Sequence, residues 1–481
     1  MNYGIVRYIV GWVIKFEAAF LCLPFAVGIL YRENECFAYL LVSFCCFIAG
    51  TALTFKKPKK FSFYAREGFI VVALTWILMS MIGALPFVLT GDIPSYIDAL
   101  FETISGFTTT GASVLTEVEI LSYTSLFWRS FTHWIGGMGV FVFVMAIIPM
   151  LGGGSTMNLM KAESPGPSVD KLVPRVKDTA KILYLIYIVI TLAEVLLLVI
   201  FKMPVFDAFC SSFGTVGTGG FGIKNDSFAS YTAIQQNIVT VFMIISGINY
   251  SLFFLVIHRK IKQALHLEEV RWYLGIICVA GIIISFNIRG LYDSFSEIAR
   301  HAFFQVGSII TTTGFATTNF DLWPQLSKTI LIILMFVGAC ASSTGGGMKV
   351  SRIVILFKTV KKELSLLAHP KEIKKITMDG NSVPHEVVRS VNVFSAVYFM
   401  ILFVSVLLIG VDELDFTTNF TAVAATLNNI GPGMELVGPL GNYSIFSGFA
   451  KFILMFDMLA GRLELFPMLL LCWPPAWKRH S

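Results

Sequence analysis

Phe107-Thr108-Thr109-Thr110-Gly111-Ala112-Ser113 is the stretch from which the rest of the chain can be read. It follows the apolar approach Ile97-Asp98-Ala99-Leu100-Phe101, and three later stretches echo it: Val216-Gly217-Thr218-Gly219-Gly220-Phe221, Ile310-Thr311-Thr312-Thr313-Gly314-Phe315-Ala316 and Asn428-Asn429-Ile430-Gly431-Pro432-Gly433. With Gly111, Gly220, Gly314 and Gly431 taken as equivalent, the spacings are 109, 94 and 117 residues. Asp98 and Asp207 each lie 13 residues before their glycine, which selects Gly220 over Gly219. A short Thr/Gly segment repeated four times points to backbone carbonyls gathered around one axis, where they replace the water around a cation.

That reading requires a membrane, and composition supplies one. Of 481 residues, 56% are hydrophobic and 14% charged, with a mean hydropathy of +0.76, far from the balance of a soluble domain. The runs Phe69 to Leu89, Leu183 to Phe201, Ile234 to Ile257 and Phe394 to Ile409 approach or reach the roughly 20 helical residues that cross a hydrocarbon core. The alternation of a membrane barrel is absent. The apolar run Val10 to Leu30 is longer than a signal-peptide core, so the first helix is expected to stay. Eight scattered cysteines form no CxxC pair and read as packing residues.

The expected architecture is an all-α integral membrane protein with about ten transmembrane helices. Two leading helices occupy residues 1–60, with Glu17 expected to be paired or near an interface. Four helix–pore loop–helix units follow over 61–178, 179–266, 267–375 and 376–481, around one pore. The basic stretches Lys56-Lys57-Pro58-Lys59-Lys60, Lys161 to Lys181, His258 to Lys262, Lys358 to Lys375 and Lys478-Arg479-His480 belong on the cytoplasmic side by the positive-inside rule. Asp92, Glu117, Glu119, Asp226, Asp321, Asp412, Glu413 and Asp415 flank the loops at the other end, where an acidic mouth would concentrate cations.

Four loops each offering a few carbonyls suffice to replace a hydration shell. Glycine reaches the backbone conformations that aim successive carbonyls inward, and threonine adds a hydroxyl. Irregular backbone at membrane depth is tolerated only where it is buried in protein or lines water. The selectivity-filter residues are therefore expected to be Thr109, Thr110, Gly111, Thr218, Gly219, Gly220, Thr312, Thr313, Gly314, Asn429, Ile430 and Gly431. The fourth loop lacks threonines, so the ring is pseudo-fourfold. The second loop, Phe213-Gly214-Thr215-Val216-Gly217, is poor in hydroxyls and its wall is expected to be looser.

Two features lie beyond the loops. Gly338 to Lys349, containing Gly345-Gly346-Gly347, interrupts an apolar helix, since each interior glycine costs about 1 kcal/mol. It either lines a water-filled cavity and occludes the path below the filter, or provides a close helix contact. Arg462 lies in the apolar run Phe452 to Leu471, where an arginine costs roughly 2.5 to 3.5 kcal/mol unless it meets water or a partner. It is expected in the conduction path, opposing cations until displaced; a salt bridge to another helix is the alternative.

These motifs, with His133-Trp134-Ile135-Gly136-Gly137-Met138-Gly139, Ala162-Glu163-Ser164-Pro165-Gly166-Pro167 and Gly345-Gly346-Gly347-Met348-Lys349, resemble the TrkH potassium-uptake proteins of the Trk, Ktr and HKT superfamily over essentially the whole chain. The resemblance implies potassium uptake through a gated pore. It implies a homodimer with one pore per subunit in a bacterial inner membrane, N- and C-termini cytoplasmic, and a cytosolic ring of TrkA-type nucleotide-binding subunits. It also implies that Gly345, Gly346, Gly347 and Lys349 belong to the gating loop and that Arg462 is the pore arginine. No cofactor and no metal beyond transported K⁺ are expected, nor is nucleic acid, with K⁺ and Rb⁺ preferred over Na⁺. A symporter coupled to H⁺ or Na⁺, with Glu17, Glu194 and Glu464 as carriers, is the other transport reading. An enzyme is not expected: no nucleotide loop follows the triple glycine, and the seven histidines make no metal spacing.

Overall fold

The computed structural model describes residues 3–58, 65–139, 176–371 and 374–477. Lys59 and Lys60, Gly152 to Gly154, the basic residues Lys161, Lys171 and Arg175, the Ala162 to Pro167 motif and the terminal Lys478-Arg479-His480 lie outside these residues.

Among the described residues the regular structure is helical, apart from a two-residue antiparallel pairing of Thr377 with Ser382 and Met378 with Asn381, closed by Asp379-Gly380 at positive φ as a tight hairpin requires. In chain order the helices are α1 (Tyr3–Tyr31), α2 (Cys36–Thr54), α3 (Ala65–Gly83), α4 (Leu85–Thr90), α5 (Tyr96–Phe107), α6 (Tyr123–Met138), α7 (Val176–Ile200), α8 (Val205–Val216), α9 (Ala233–Ser246) and α10 (Tyr250–Ile257). They continue with α11 (Ile261–Leu265), α12 (Glu268–Asn287), α13 (Phe295–Ile310), α14 (Gln325–Val337), α15 (Val350–Ala368), α16 (His385–Ile409), α17 (Phe416–Leu427), α18 (Gly448–Arg462) and α19 (Phe466–Leu471).

Among the described residues, six stretches are long and apolar enough to cross a membrane: α1, α2, Arg66–Thr90, Lys181–Ile200, α12 and His385–Asp412. Large apolar side chains such as Phe44, Leu196, Phe286 and Phe403 point outward from them, as lipid-facing surfaces require. The helices that leave the second, third and fourth loops are broken within the described residues. α9 and α10 are bent by 89° at Gly247-Ile248-Asn249, and α14 stops at Gly338. α6 stops at Gly139 (φ +74), and α18 ends at Arg462, followed by Glu464 and Leu465 at positive φ. Only the break after the third loop is conspicuous in sequence, and the run Phe452 to Leu471 is two helices rather than one.

Of the four short helices α5, α8, α13 and α17, all but α13 descend from capped or proline-marked starts. Ser95 accepts from the Asp98 amide, Asp415 from the Thr418 amide, and Pro204 precedes α8. Their C-terminal halves are buried, including Thr103, Ser105, Ser212, Ser308 and Thr426. The largest apolar cluster joins α1, α3, α5 and α6 to α16 and α18, and includes Trp76, Phe107, Trp128 and Tyr398. A second joins α12, α13 and α14 to Ile430 of the fourth loop. The loops are thus the hub where separate cores meet.

Candidate functional site

Each short helix runs directly into its loop, and all four loops share one backbone pattern. The residue two before the glycine has positive φ, at Thr109 (54°), Thr218 (54°), Thr312 (59°) and Asn429 (55°). So does the glycine: Gly111 (78°), Gly220 (83°), Gly314 (88°) and Gly431 (94°). Three of the first set are β-branched threonines, for which this region is strained by of order 1 to 3 kcal/mol each. Such strain recurs at equivalent positions only where the surrounding fold enforces it. Alternation of handedness at every second residue is what turns successive carbonyls toward one side.

The glycines also define the ring. A Cβ at Gly111 would lie 2.1 Å from the carbonyl oxygen of Gly219, at Gly220 1.9 Å from that of Thr313, at Gly314 1.9 Å from that of Ile430, and at Gly431 2.8 Å from that of Thr110. Each loop therefore seats its glycine against the carbonyl that precedes the glycine of the next loop, and the fourth loop returns to the first. The circuit closes in chain order. The twelve residues read from the sequence are the three consecutive positions of each loop in this circuit, with Gly220 at the place of Gly111, Gly314 and Gly431. On its outer side the four glycines share a polar cavity of about 120 Å³. The four helix C-termini carry the negative ends of their dipoles toward the ring.

The walls behind the loops differ. In the first, Thr108 and Thr110 hydroxyls are 2.8 Å apart, and in the third Thr311 and Thr313 repeat the pair at 2.8 Å. The second has Gly217 and Gly219 in those places, yet it is not loose. The His133 ring fills the space, 2.2 Å from where a Gly219 Cβ would sit. His133 Nδ1 meets the Gly106 carbonyl at 2.8 Å and the Phe221 amide donates to Nε2 at 3.1 Å. A carbonyl only accepts and an amide only donates, so the ring is the neutral Nδ1–H tautomer. In the fourth, Tyr398 Oη donates to Asn428 Oδ1 (2.9 Å), and Asn429 Nδ2 reaches Thr110 Oγ1 and the Met458 carbonyl, both at 2.9 Å.

The outer mouth departs from the expected acidic ring. The cavity lining includes Lys224 and Arg129 but none of the eight carboxylates. Several of those are used as hydrogen-bond acceptors at turns and caps: Asp92 for Ser122 and Ser125 hydroxyls, Asp321 for the Glu435 amide, Asp412 for Ser447 and Asp415 for Thr418. Short acidic side chains near glycine-rich turns satisfy backbone donors first.

The Gly338 to Lys349 segment lies against the inner end of the ring. The Gly346 amide donates to Thr312 Oγ1 at 2.7 Å, and its Cα is packed so that a Cβ would meet the Asn428 carbonyl at 2.4 Å. Glu269 of α12 holds the segment's ends through the Ala341 amide (2.6 Å) and the Ser351 amide (3.1 Å). Lys349 Nζ folds back onto the Gly345 carbonyl. Arg462 donates to the Thr344 carbonyl (2.6 Å) and to the carbonyls of Gly136 (2.5 Å) and Gly137 (3.0 Å) at the end of α6. The arginine therefore straps the glycine segment to the first unit. Glu464, one of the suggested carriers, is paired with Arg352. Glu17 is buried, with no hydrogen-bond partner for its carboxyl oxygens among the described residues.

Sequence reasoning passed over Glu102, Arg129 and Glu269. For Glu102 and Arg129 the available signal is charge inside otherwise apolar or small-residue helices, whereas Glu269, in the first turn of α12 beside Glu268, carries none.

Comparison with known proteins gives a consistent result. The TrkH family model, described as a cation transport protein, matches residues 36–280 and 290–476. The Trk system potassium uptake proteins TrkH of Salmonella typhimurium and of Escherichia coli K12 are each 37% identical over 487 residues, covering 99% of this chain and all of theirs. TrkG of Escherichia coli K12 is 34% identical, covering 97% of each chain. The crystal structure of the potassium transporter TrkH from Vibrio parahaemolyticus superposes with a TM-score of 0.88 at 33% identity, covering 99% of this chain and all of that one.

Proposed function

The chain belongs to the TrkH family of cation transport proteins, and on that premise we propose that it takes up potassium through a gated, channel-like pore whose selectivity filter is the ring of four loops. The closed circuit of glycines against neighbouring carbonyls carries this reading. The carbonyls of Thr110, Gly219, Thr313 and Ile430 each lie against the glycine of an adjoining loop, and we read them as the set that replaces the hydration of K⁺ or Rb⁺. The four helix dipoles lower the electrostatic cost of the dehydrated ion there. Relatives carrying potassium-uptake names over their full length support the choice of ion.

Uptake is then downhill permeation with a barrier beneath the filter. Gly345, Gly346 and Gly347 cap the inner ends of loops three and four, Lys349 stiffens the turn, and Arg462 places a positive charge on the cation's route while tying the cap down. Opening requires the Thr344–Arg462 and Gly346–Thr312 contacts to break together. The cytosolic trigger is assigned to TrkA-type nucleotide-binding subunits, in keeping with relatives named as parts of a Trk system. We place the protein as a homodimer in a bacterial inner membrane, termini inside, with unit boundaries near residues 60, 178, 266 and 375. The cargo is K⁺ itself.

The deciding experiment is Rb⁺ flux in proteoliposomes at zero proton gradient. Arg462→Ala, or deletion of Gly345 to Gly347, should raise resting flux severalfold, and unchanged flux in both would remove the gate. A coupled symporter is the second reading, favoured by the buried Glu17 carboxyl; flux that vanishes without a proton gradient would establish it in place of the channel.

A further inference from the structure

Resting on the filter reading above, we propose that Glu102, Arg129 and His133 are specificity-positioning residues. They form a buried brace at the seam between loops one and two that sets the Gly219 carbonyl in the ring.

The brace is unusually complete. Glu102, on α5, and Arg129, on α6, form an ion pair with Nε to Oε1 at 2.6 Å, their side chains 1% and 3% exposed. The carboxylate also accepts from Ser113 Oγ at 3.0 Å and from the Val114 amide at 3.1 Å, two and three residues past Gly111. The guanidinium donates through Nη1 to the Gly222 carbonyl at 2.8 Å, two residues past Gly220. It also lies 3.6 Å from the centre of the Phe221 ring. The other side of Phe221 meets His133 at 4.1 Å between ring centres, and the same histidine receives the Phe221 amide. Both loops leave the ring held by one charged pair, and loop two is held again by the imidazole where its own hydroxyls are missing.

Fold stability alone does not call for this chemistry. A buried pair is often no more stabilising than apolar residues of the same volume; what it supplies is direction, since carboxylate and guanidinium accept and donate along fixed lines. Among the described residues the fourth and first units also share an ion pair, Lys451 with Asp98 at 2.6 Å, but it lies at the start of α5, away from the filter glycine, and its carboxylate is 30% exposed. Nine residues before each filter glycine stand Glu102, Ser211, Gln305 and Ala422, charged only in the first unit. Loops two and three meet through the Phe228 amide and Ala316 carbonyl at 2.9 Å, and loops four and one through the Tyr443 amide and Ser113 carbonyl at 2.8 Å. Arg129 also lines the outer cavity, so Glu102 neutralises a cation that would otherwise stand beside the permeating ion.

The test is the Na⁺ to Rb⁺ permeability ratio of the full-length protein in liposomes, measured for the parent, Glu102→Gln, Arg129→Lys and Gly314→Ser. Glu102→Gln keeps acceptors for Ser113 and Val114 but strands the guanidinium; Arg129→Lys keeps the charge but loses the fork that reaches Gly222. Both are expected to raise the ratio by roughly threefold or more, on the scale of couplings through a packed second layer, while Rb⁺ flux persists. A shift with Gly314→Ser and none with either brace variant overturns the brace and leaves the filter standing. No shift with any of the three removes the filter reading itself. If neither brace variant accumulates as folded protein, the pair is a folding determinant and the positioning role is overturned.

Discussion

A single methyl group is the unit in which the ring can be tested. At Gly111, Gly220 and Gly314 an added Cβ overlaps a neighbouring carbonyl at 1.9 to 2.1 Å, whereas at Gly431 the nearest is 2.8 Å away. Backbone must move at all four, furthest at the first three and least at the fourth, and each also carries the strain of positive φ. Glycine-to-serine substitutions should therefore degrade K⁺ over Na⁺ selectivity strongly at Gly111, Gly220 and Gly314, and least at Gly431. The order of the four ratios, measured as Rb⁺ and Na⁺ flux, checks this, and a Gly314→Ser protein with parental selectivity would remove that loop from the filter. At this scale the twelve ring residues were legible because glycine and threonine spell a backbone conformation locally. His133 was not legible as the wall of loop two, since its partners Gly106 and Phe221 lie 27 and 88 residues away.

Elements matter through how they start and where they break. Asp415 begins α17 and accepts hydrogen bonds from Thr418, which hold its carboxyl below the ordinary carboxylate range. A depressed folded pKa means the cap is fully effective above the unfolded value and is lost as pH falls through the lower folded value. Asp415→Ala should cost about 1 kcal/mol at neutral pH, read as a lower melting midpoint, and the difference from the parent should shrink as the pH drops below that range. The interrupted outgoing helices are the second lesson. Glu269 satisfies amides at both ends of the Gly338 to Lys349 segment, and buried donors left unpaired cost about 1 to 3 kcal/mol each. Glu269→Ala should therefore loosen the segment and raise resting Rb⁺ flux; unchanged flux would show that the segment is held by Arg462 and Thr312 alone. Three glycines in a row announced one break. The others need only a glycine or a pair of left-handed residues, a signal too small to separate from ordinary helix packing.

For the whole molecule, four stretches about a hundred residues apart close one circuit, so a cation seated there links all four units. A ligand that binds the folded state alone stabilises it by about 2.7 kcal/mol at a hundredfold excess over Kd. The melting midpoint in detergent should accordingly be higher in K⁺ or Rb⁺ than in Na⁺ or N-methylglucamine; equal midpoints would mean that no ion is held by the ring. What the sequence determined by itself was the membrane class, the four recurring Thr/Gly stretches with the spacing of Gly111, Gly220, Gly314 and Gly431, and the glycine segment and Arg462 as features of otherwise apolar runs. All of these are written in local composition and spacing, because hydrophobic length and backbone handedness are properties of short stretches. Only the tertiary structure decided that the loops close in chain order, that the outer acids serve as caps instead of lining the mouth, that Arg462 straps the segment to Gly136, and that Glu102, Arg129 and His133 brace the first seam. Those depend on which unit stands beside which, and on hydrogen-bond donors and acceptors brought together from distant parts of the chain, which no local pattern encodes.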